Sequence, residues 1–260
     1  MGEVRSADGT RLHVDRDGSG DPVTVFAHGL TNSCMELAAF TPLAPGTKVR
    51  FCFRGHGHSE TAREGAYGFA DYAADLDAVA SATGASRAVG TSLGAGAITR
   101  LVAGRPDRFE RLVFLLPAAL DEPLRGHPLS LRTAELLETL PKDEAITQIL
   151  RESGRDRNYV ENPGLREFDL LMWQGMDPVG AARAIRGIVG EVAVDDRERL
   201  RAVETPALVI ARDGDPVHPM AVARGLADVL SSAELIVLAS EEDLFASIPM
   251  LIARVSAFLA

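Results

Sequence analysis

The sequence predicts an α/β protein with a mostly parallel central sheet, helices on both faces and an inserted helical segment. Short apolar runs typical of buried strands alternate with segments of helical periodicity. Repeated strand–helix units of this kind are typical of a parallel sheet covered on both faces. Between about residues 117 and 200 only helical patterns occur, which predicts an insertion between two strands of the sheet.

The N-terminal region predicts a strand pair that leads into the sheet. Residues 2–17 hold two segments of alternating polar and apolar positions, with turn signals at 8–9 and 18–20. An apolar run then ends at 28–29, and KVRFCFRG (48–55) has the composition of another buried strand. We therefore expect two strands separated by turns, followed by two buried strands.

The next region predicts two helices separated by a short strand. In GFADYAADLDAVASATG (68–84) the apolar residues form one helical stripe, and Gly84 is a stop signal. The stripe consists of Phe69, Tyr72, Ala73, Leu76, Val79 and Ala80. SRAVG (86–90) then predicts a strand, and TSLGAGAITRLVAG (91–104) predicts the second helix.

The remaining chain divides the protein into a core and an insertion. RLVFLLPA (111–118) is a continuous apolar strand, and four helical segments follow it before PALVIARD (206–213) resumes the sheet. A helix, the strand AELIVLAS (233–240) and a final helix from residue 249 complete the predicted fold. We therefore expect a core of residues 1–116 and 201–260, with 117–200 as a helical cap over the strand ends, where open α/β sheets bind ligands.

Composition limits the partners of the protein. The 260 residues carry a formal charge of −10, which argues against nucleic acid or an anionic membrane as the main partner. The two cysteines, Cys34 and Cys52, have no spaced partners and indicate free thiols in a reducing compartment. There is no signal-peptide pattern and no apolar run of about 18 residues, so the expected location is cytoplasmic. The expected partner is a small-molecule substrate, and the oligomeric state is not predicted.

A nucleophile motif lies at residues 90–94, GTSLG, which fits G-x-S-x-G between a strand and a helix. With AHGL (27–30), RGHGHS (54–59) and ARDGDPVHP (211–219), it makes the chain resemble the α/β-hydrolase superfamily, whose motifs occur in this order. The resemblance covers almost the whole chain and implies the α/β-hydrolase fold, with 117–200 as its lid.

The resemblance also implies roles for individual residues. Ser92 corresponds to the nucleophile and Asp215 to the acid of the catalytic triad. The backbone N–H groups of Leu30 and Leu93 correspond to the oxyanion hole. No metal or organic cofactor is implied, since no His/Cys/Asp cluster has metal-ligand spacing in the sequence.

The chain departs from the family at the catalytic histidine. The segment LASEEDLFASIP (238–249) offers no histidine where the family has one, and the vacant position corresponds to Asp243 or Glu242. A carboxylate with an ordinary pKa near 4 is a weak base, so neither acid substitutes well. His218, three residues after Asp215, is the candidate for a relocated base. Asp121, after the strand RLVFLLPA, is an alternative acid.

Three functions remain open at this point. The first is a serine hydrolase of the esterase type, acting on a small apolar ester- or carbonyl-containing metabolite with an atypical triad that contains His218. The second is a lyase or cyclase that uses only the oxyanion hole. The third is a catalytically inactive relative that binds a ligand.

Overall fold

The computed structural model describes residues 2–123, 129–154, 156 and 163–260, and contains one eight-stranded sheet. The strands run in the order β1-β2-β4-β3-β5-β6-β7-β8. Their bounds are β1 Gly2–Arg5, β2 Arg11–Asp17, β3 Val23–Ala27, β4 Thr47–Phe51, β5 Arg87–Thr91, β6 Arg111–Leu115, β7 Ala207–Arg212 and β8 Ala233–Leu238. The helices are α1 Phe69–Thr83, α2 Leu93–Gly104, α3 Leu129–Thr139, α4 Lys142–Glu152, α5 Pro163–Gln174, α6 Pro178–Ile188, α7 Met220–Val229 and α8 Glu241–Phe258.

The mostly parallel sheet predicted from the sequence is confirmed. Strands β3 to β8 pair in parallel, whereas β1 and β2 form an antiparallel pair that joins the sheet along β4. β3 is buried at every position, and β5 and β6 at every position after the first. Helices cover both faces of a parallel sheet, which is why these strands have continuous apolar runs rather than alternating ones.

Helix α1 shows how the local sequence fixes an element. Its predicted apolar stripe is buried, and the chain leaves the helix at Gly84, which adopts the left-handed conformation (φ 72°). A residue without a Cβ enters that conformation at little cost, so glycine is the common choice at a helix C-terminus. The helix packs against α2, the helix that follows the nucleophile motif.

Between β6 and β7 the described residues are helical from α3 to α6, followed by a 3-10 helix at Arg197–Ala202. Nine buried side chains of this region form a separate apolar cluster, the helical cluster. Its members are Ala134, Leu136, Leu137, Ala145, Ile149, Met176, Ala181, Ala182 and Ile185. The side chain of Leu30, which belongs to the sheet region, packs against this cluster.

The start of the final helix was predicted wrongly. The sequence prediction placed it at Pro249, but α8 begins at Glu241 and contains Pro249 in its interior. Ser240 explains the early start, because its hydroxyl accepts a hydrogen bond from the N–H of Asp243 (3.1 Å) and caps the helix. Acidic residues in the first turn also interact favourably with the positive end of the helix dipole. Glu242 and Asp243 therefore lie on a helix rather than on a loop.

Within the part of the chain that the structure describes, no helix is long and apolar enough to cross a membrane.

Candidate active site

The nucleophile motif forms a strained turn between β5 and α2. Ser92 has φ 48° and ψ −105°, a conformation that is costly for a residue with a side chain. Its N–H donates to the carbonyl of Leu115 (3.0 Å), and its carbonyl accepts from the N–H of Gly96 (3.1 Å). These two bonds hold the turn, and the half-buried side chain of Ser92 remains reachable by solvent.

Two glycines make this turn possible. A Cβ on Gly90 would lie 2.6 Å from the backbone of Gly94, and one on Gly94 would lie 2.2 Å from the carbonyl oxygen of Ala27. Both distances are far below a normal contact, so the motif needs glycine at both positions. The second contact also brings the start of α2 directly against the end of β3. The segment that follows β3 therefore lies beside Ser92.

The two N–H groups proposed for the oxyanion hole have no partner in the described part of the chain. Among the described residues, neither the N–H of Leu30 nor that of Leu93 donates a hydrogen bond. The hydroxyl of Ser92 likewise has no hydrogen-bond partner in these parts of the chain. Unpartnered donors beside a nucleophile are what an oxyanion hole requires, because they must be available to the charge that develops during the reaction.

Two buried histidines position the loop after β3, residues 28–36, which we call the oxyanion loop after its proposed role. The ring of His28 donates from Nδ1 to the carbonyl of Gly29 (2.7 Å) and accepts at Nε2 from the N–H of Phe53 (3.0 Å). Burial and the neighbouring His56 lower the pKa of His28 to about 3. Because both ring nitrogens are hydrogen-bonded to backbone groups, this ring is not available as a base.

His56 supports the same loop from the arginine-glycine turn. Its Nδ1 donates to the carbonyl of Arg54 (2.8 Å), and its Nε2 accepts from the N–H of Thr31 (3.2 Å). Burial lowers the pKa of His56 to about 4, so the ring is neutral. The turn is anchored by Arg54, whose buried guanidinium pairs with Asp75 (2.6 Å) and Asp8 (2.9 Å).

Glu36 belongs to no motif in the sequence, but its carboxylate lies beside Ser92. Its Oε2 accepts from the N–H of Gly29 and its Oε1 from the amide of Asn32, both at 2.6 Å. The point where Gly29 would carry a Cβ lies within 3.5 Å of both carboxylate oxygens and of the Cβ of Ser92. Burial raises the pKa of Glu36 to about 7, although the hydrogen bond from Gly29 opposes the shift. No pattern in the sequence marks this residue.

After β7, the structure joins the predicted acid to the predicted base. Asp215 Oδ2 accepts from Nδ1 of His218 at 3.0 Å, and the same oxygen lies 2.9 Å from Nη2 of Arg212. Burial opposes ionisation of Asp215, but hydrogen bonds from His218 and from the N–H of Val217 hold its pKa well below the ordinary value. Nε2 of His218 has no partner among the described residues. We call Asp215 and His218 the dyad.

The other residues named from the sequence, Asp121, Glu242 and Asp243, are not bonded to the dyad. Asp121, the alternative acid, is bonded to Arg197 through both oxygens at 2.5 Å. Glu242 and Asp243 are exposed in the first turn of α8. β7 is separated from β5 by β6, so the ends of the two strands are about 10 Å apart at about 4.8 Å per strand. An imidazole on the loop after β7 must therefore extend over the end of β6 to serve Ser92.

Comparison with known proteins identifies the family. Residues 25–245 match the alpha/beta hydrolase fold family. The chain belongs to this family. It is 27% identical over 257 residues to the bifunctional esterase/perhydrolase DCH of Acinetobacter calcoaceticus, with 91% of this chain and 90% of that protein covered. The family explains why the turn at Ser92, the oxyanion loop and the dyad all lie at the carboxyl ends of parallel strands.

Solved structures agree with this family assignment at the level of the fold. A hydrolase from Pseudomonas aeruginosa PA01 superposes with a TM-score of 0.79 at 23% identity, covering 100% of this chain and 98% of that chain. The enol-lactonase of Burkholderia xenovorans LB400 superposes with a TM-score of 0.77 at 23% identity, covering 98% and 99%. The predicted α/β-hydrolase fold is thereby confirmed.

Proposed function

We propose that this chain is a serine hydrolase that cleaves small, apolar carboxylic esters, with Ser92 as nucleophile and the dyad of Asp215 and His218 as its base. The observation that carries the proposal is the geometry of His218: its Nδ1 is fixed by Asp215, and its Nε2 has no partner among the residues that the structure describes. A general base needs this orientation, because the acid partner holds the ring and stabilises the imidazolium that forms. The curated relative from Acinetobacter, described as an esterase, supports the ester class.

The proposed reaction proceeds through an acyl-enzyme. Nε2 of His218 takes the proton of the Ser92 hydroxyl while Oγ attacks the ester carbonyl. The N–H groups of Leu30 and Leu93 donate to the oxyanion of the tetrahedral intermediate. The imidazolium returns the proton to the leaving alcohol, and the acyl-enzyme forms. Water, activated by the same ring, then releases the acid and regenerates the serine.

Residues 117–200 are proposed as the cap of this site. Two contacts of α6 support this arrangement. The hydroxyl of Thr61 donates a hydrogen bond to the carboxylate of Asp177, which caps the N-terminus of α6. The guanidinium of Arg183 donates to the carbonyl of Ala62 at 2.9 Å. The helical cluster also packs on Leu30, next to the proposed oxyanion donor. Apolar side chains of this region would then contact the substrate, which favours apolar esters.

A fluorophosphonate probe and a panel of short-chain esters test the proposal. The wild-type protein should be labelled at Ser92 and hydrolyse esters, and Ser92→Ala should do neither. His218→Ala should lower kcat by about 10²- to 10⁴-fold, the usual contribution of a general base, with little change in KM. His58→Ala, at an exposed histidine outside the dyad, is the matched control and should keep wild-type rates.

Two outcomes would contradict this function. Full activity in His218→Ala would show that another group is the base. A folded wild-type protein that neither reacts with the probe nor hydrolyses any ester would eliminate hydrolysis and leave the non-hydrolytic or ligand-binding alternatives.

A further inference from the structure

A second group of reactive side chains lies behind the oxyanion loop. His13 and Asp15 are two residues apart on β2, so their side chains are on the same face of the sheet. Cys34, from the oxyanion loop, packs against them. One ligand atom from each residue can be chosen so that all three lie within 4.8 Å of one another. The sequence implies no metal site, since no His/Cys/Asp cluster has metal-ligand spacing, but the fold brings these three residues together.

The distances within this group suit a single bound ion. His13 Nε2 lies 3.4 Å from Asp15 Oδ1, and Cys34 Sγ lies 3.7 Å from Asp15 Oδ2. In a tetrahedral zinc site with ordinary bond lengths, neighbouring ligand atoms are separated by about 3.3 to 3.8 Å. Both measured separations fall in this range, although they involve the two different oxygens of Asp15. With one oxygen as the ligand atom, the three atoms lie within 4.8 Å of one another, so binding an ion requires them to move closer by up to about 1 Å.

The chemistry of the donors selects the ion. An imidazole, a carboxylate and a thiolate together favour a divalent transition metal over Mg²⁺ or Ca²⁺, which prefer oxygen ligands alone. The side chains of His13 and Asp15 are 13% and 19% exposed, so an ion can reach them from solvent. The negative charges of the carboxylate and thiolate match the double charge of the ion.

We propose that His13, Asp15 and Cys34 form a binding site for a divalent transition metal ion of the zinc type. Binding replaces the S–H bond of Cys34 with a metal–sulfur bond and releases the proton to solvent. The fourth ligand is a water molecule. Cys52 stays outside the set of ligands, and its Sγ accepts a hydrogen bond from the N–H of Cys34 at 3.4 Å, which orients the ligand. The ion would tie β2 to the oxyanion loop.

Zn²⁺ and Co²⁺ are the probes. The untagged, reduced protein should take up Zn²⁺ in equilibrium dialysis with one ion per chain, and protons should be released on addition of the metal. Co²⁺ should produce a thiolate-to-cobalt charge-transfer band. Cys34→Ser should abolish that band, and both Cys34→Ser and His13→Ala should weaken Zn²⁺ binding by more than the roughly 10- to 100-fold typical of removing a supporting group.

Asp17→Asn is the matched control. Asp17 lies on the same strand and face as His13 and Asp15, and its substitution removes one negative charge, as Asp15→Asn does, without changing a proposed ligand. It should bind metal as the wild-type protein does. Asp15→Asn provides a second variant at the site if Cys34→Ser fails to fold. Absence of Zn²⁺ uptake by the reduced wild-type protein would overturn the proposal, and so would equal uptake by the wild type and the folded site variants. In either case His13 and Asp15 would make only the 3.4 Å contact with each other.

Discussion

Replacing Glu36 by glutamine should remove a large pH dependence from the stability of the protein. Burial raises the pKa of Glu36 from 4.5 to about 7, so the folded protein holds this proton over a pH range in which the unfolded chain has lost it. The contribution of Glu36 to the free energy of unfolding therefore falls as the pH rises from about 4.5 to about 7, and is constant above that range. At 1.36 kcal/mol per pKa unit, the whole effect is about 3 kcal/mol, of which about 2 to 3 kcal/mol lies between pH 5 and pH 8.

Glutamine keeps the shape of the side chain but cannot ionise. Its carbonyl oxygen can accept from the Gly29 N–H, and its NH₂ group can donate to the oxygen of the Asn32 amide once that amide turns over, so both contacts are kept. The variant should therefore resemble the wild type near pH 5 and become more stable than it by about 2 to 3 kcal/mol at pH 8. Other titrating groups are common to both proteins and cancel in the difference.

Urea unfolding at a series of pH values measures this difference directly. Glu64→Gln is the matched control, because Glu64 is exposed and makes no hydrogen bond within the described residues. Its difference from the wild type should stay flat across the series. A flat difference for Glu36→Gln as well would refute the reasoning, since it would mean that burial does not penalise the charge of Glu36.

Two further perturbations test the site and the turn. A histidine restored at the vacant position, as Asp243→His or Glu242→His, should raise ester kcat/KM by about ten- to a hundredfold. This gain is far below the roughly million-fold effect of a complete triad histidine, because no neighbouring groups hold the new ring. No gain from either folded variant would mean that the vacancy lies elsewhere or that His218 already does the work of the base. Gly94→Ala should cost at least about 1 to 3 kcal/mol, because its Cβ would lie 2.2 Å from the carbonyl oxygen of Ala27. Gly104→Ala, on the same helix with nothing within 4 Å, should be neutral or stabilising, and equal unfolding midpoints for the two variants would contradict the steric argument.

The features that the sequence predicted are those with a local physical cause. Continuous apolar runs mark strands buried on both faces, so the parallel sheet was predictable. The turn at Ser92 was predictable because its geometry requires glycines at fixed positions on either side. The predicted start of α8 at Pro249 is wrong, because a proline is common at a helix start but the capping hydroxyl of Ser240 begins this helix earlier.

The features that the sequence could not predict depend on distant parts of the chain. Glu36 acquires its raised pKa from the surroundings that the fold builds around the oxyanion loop. His13 and Cys34 meet only because the loop after β3 turns back against β2. The pairing of Asp215 with His218 is local, and the short spacing between them made that hydrogen bond a reasonable expectation.

The position of Leu30 limits how this site can evolve. Its side chain packs against both the main core and the helical cluster, and its N–H is a proposed oxyanion donor. A substitution at Leu30 therefore alters the packing of the helical cluster and the support of the proposed oxyanion donor together. Under the proposed function, selection at this residue acts on the cap and on turnover at the same time. Changes in substrate range should accumulate more readily at cap residues that do not touch Leu30.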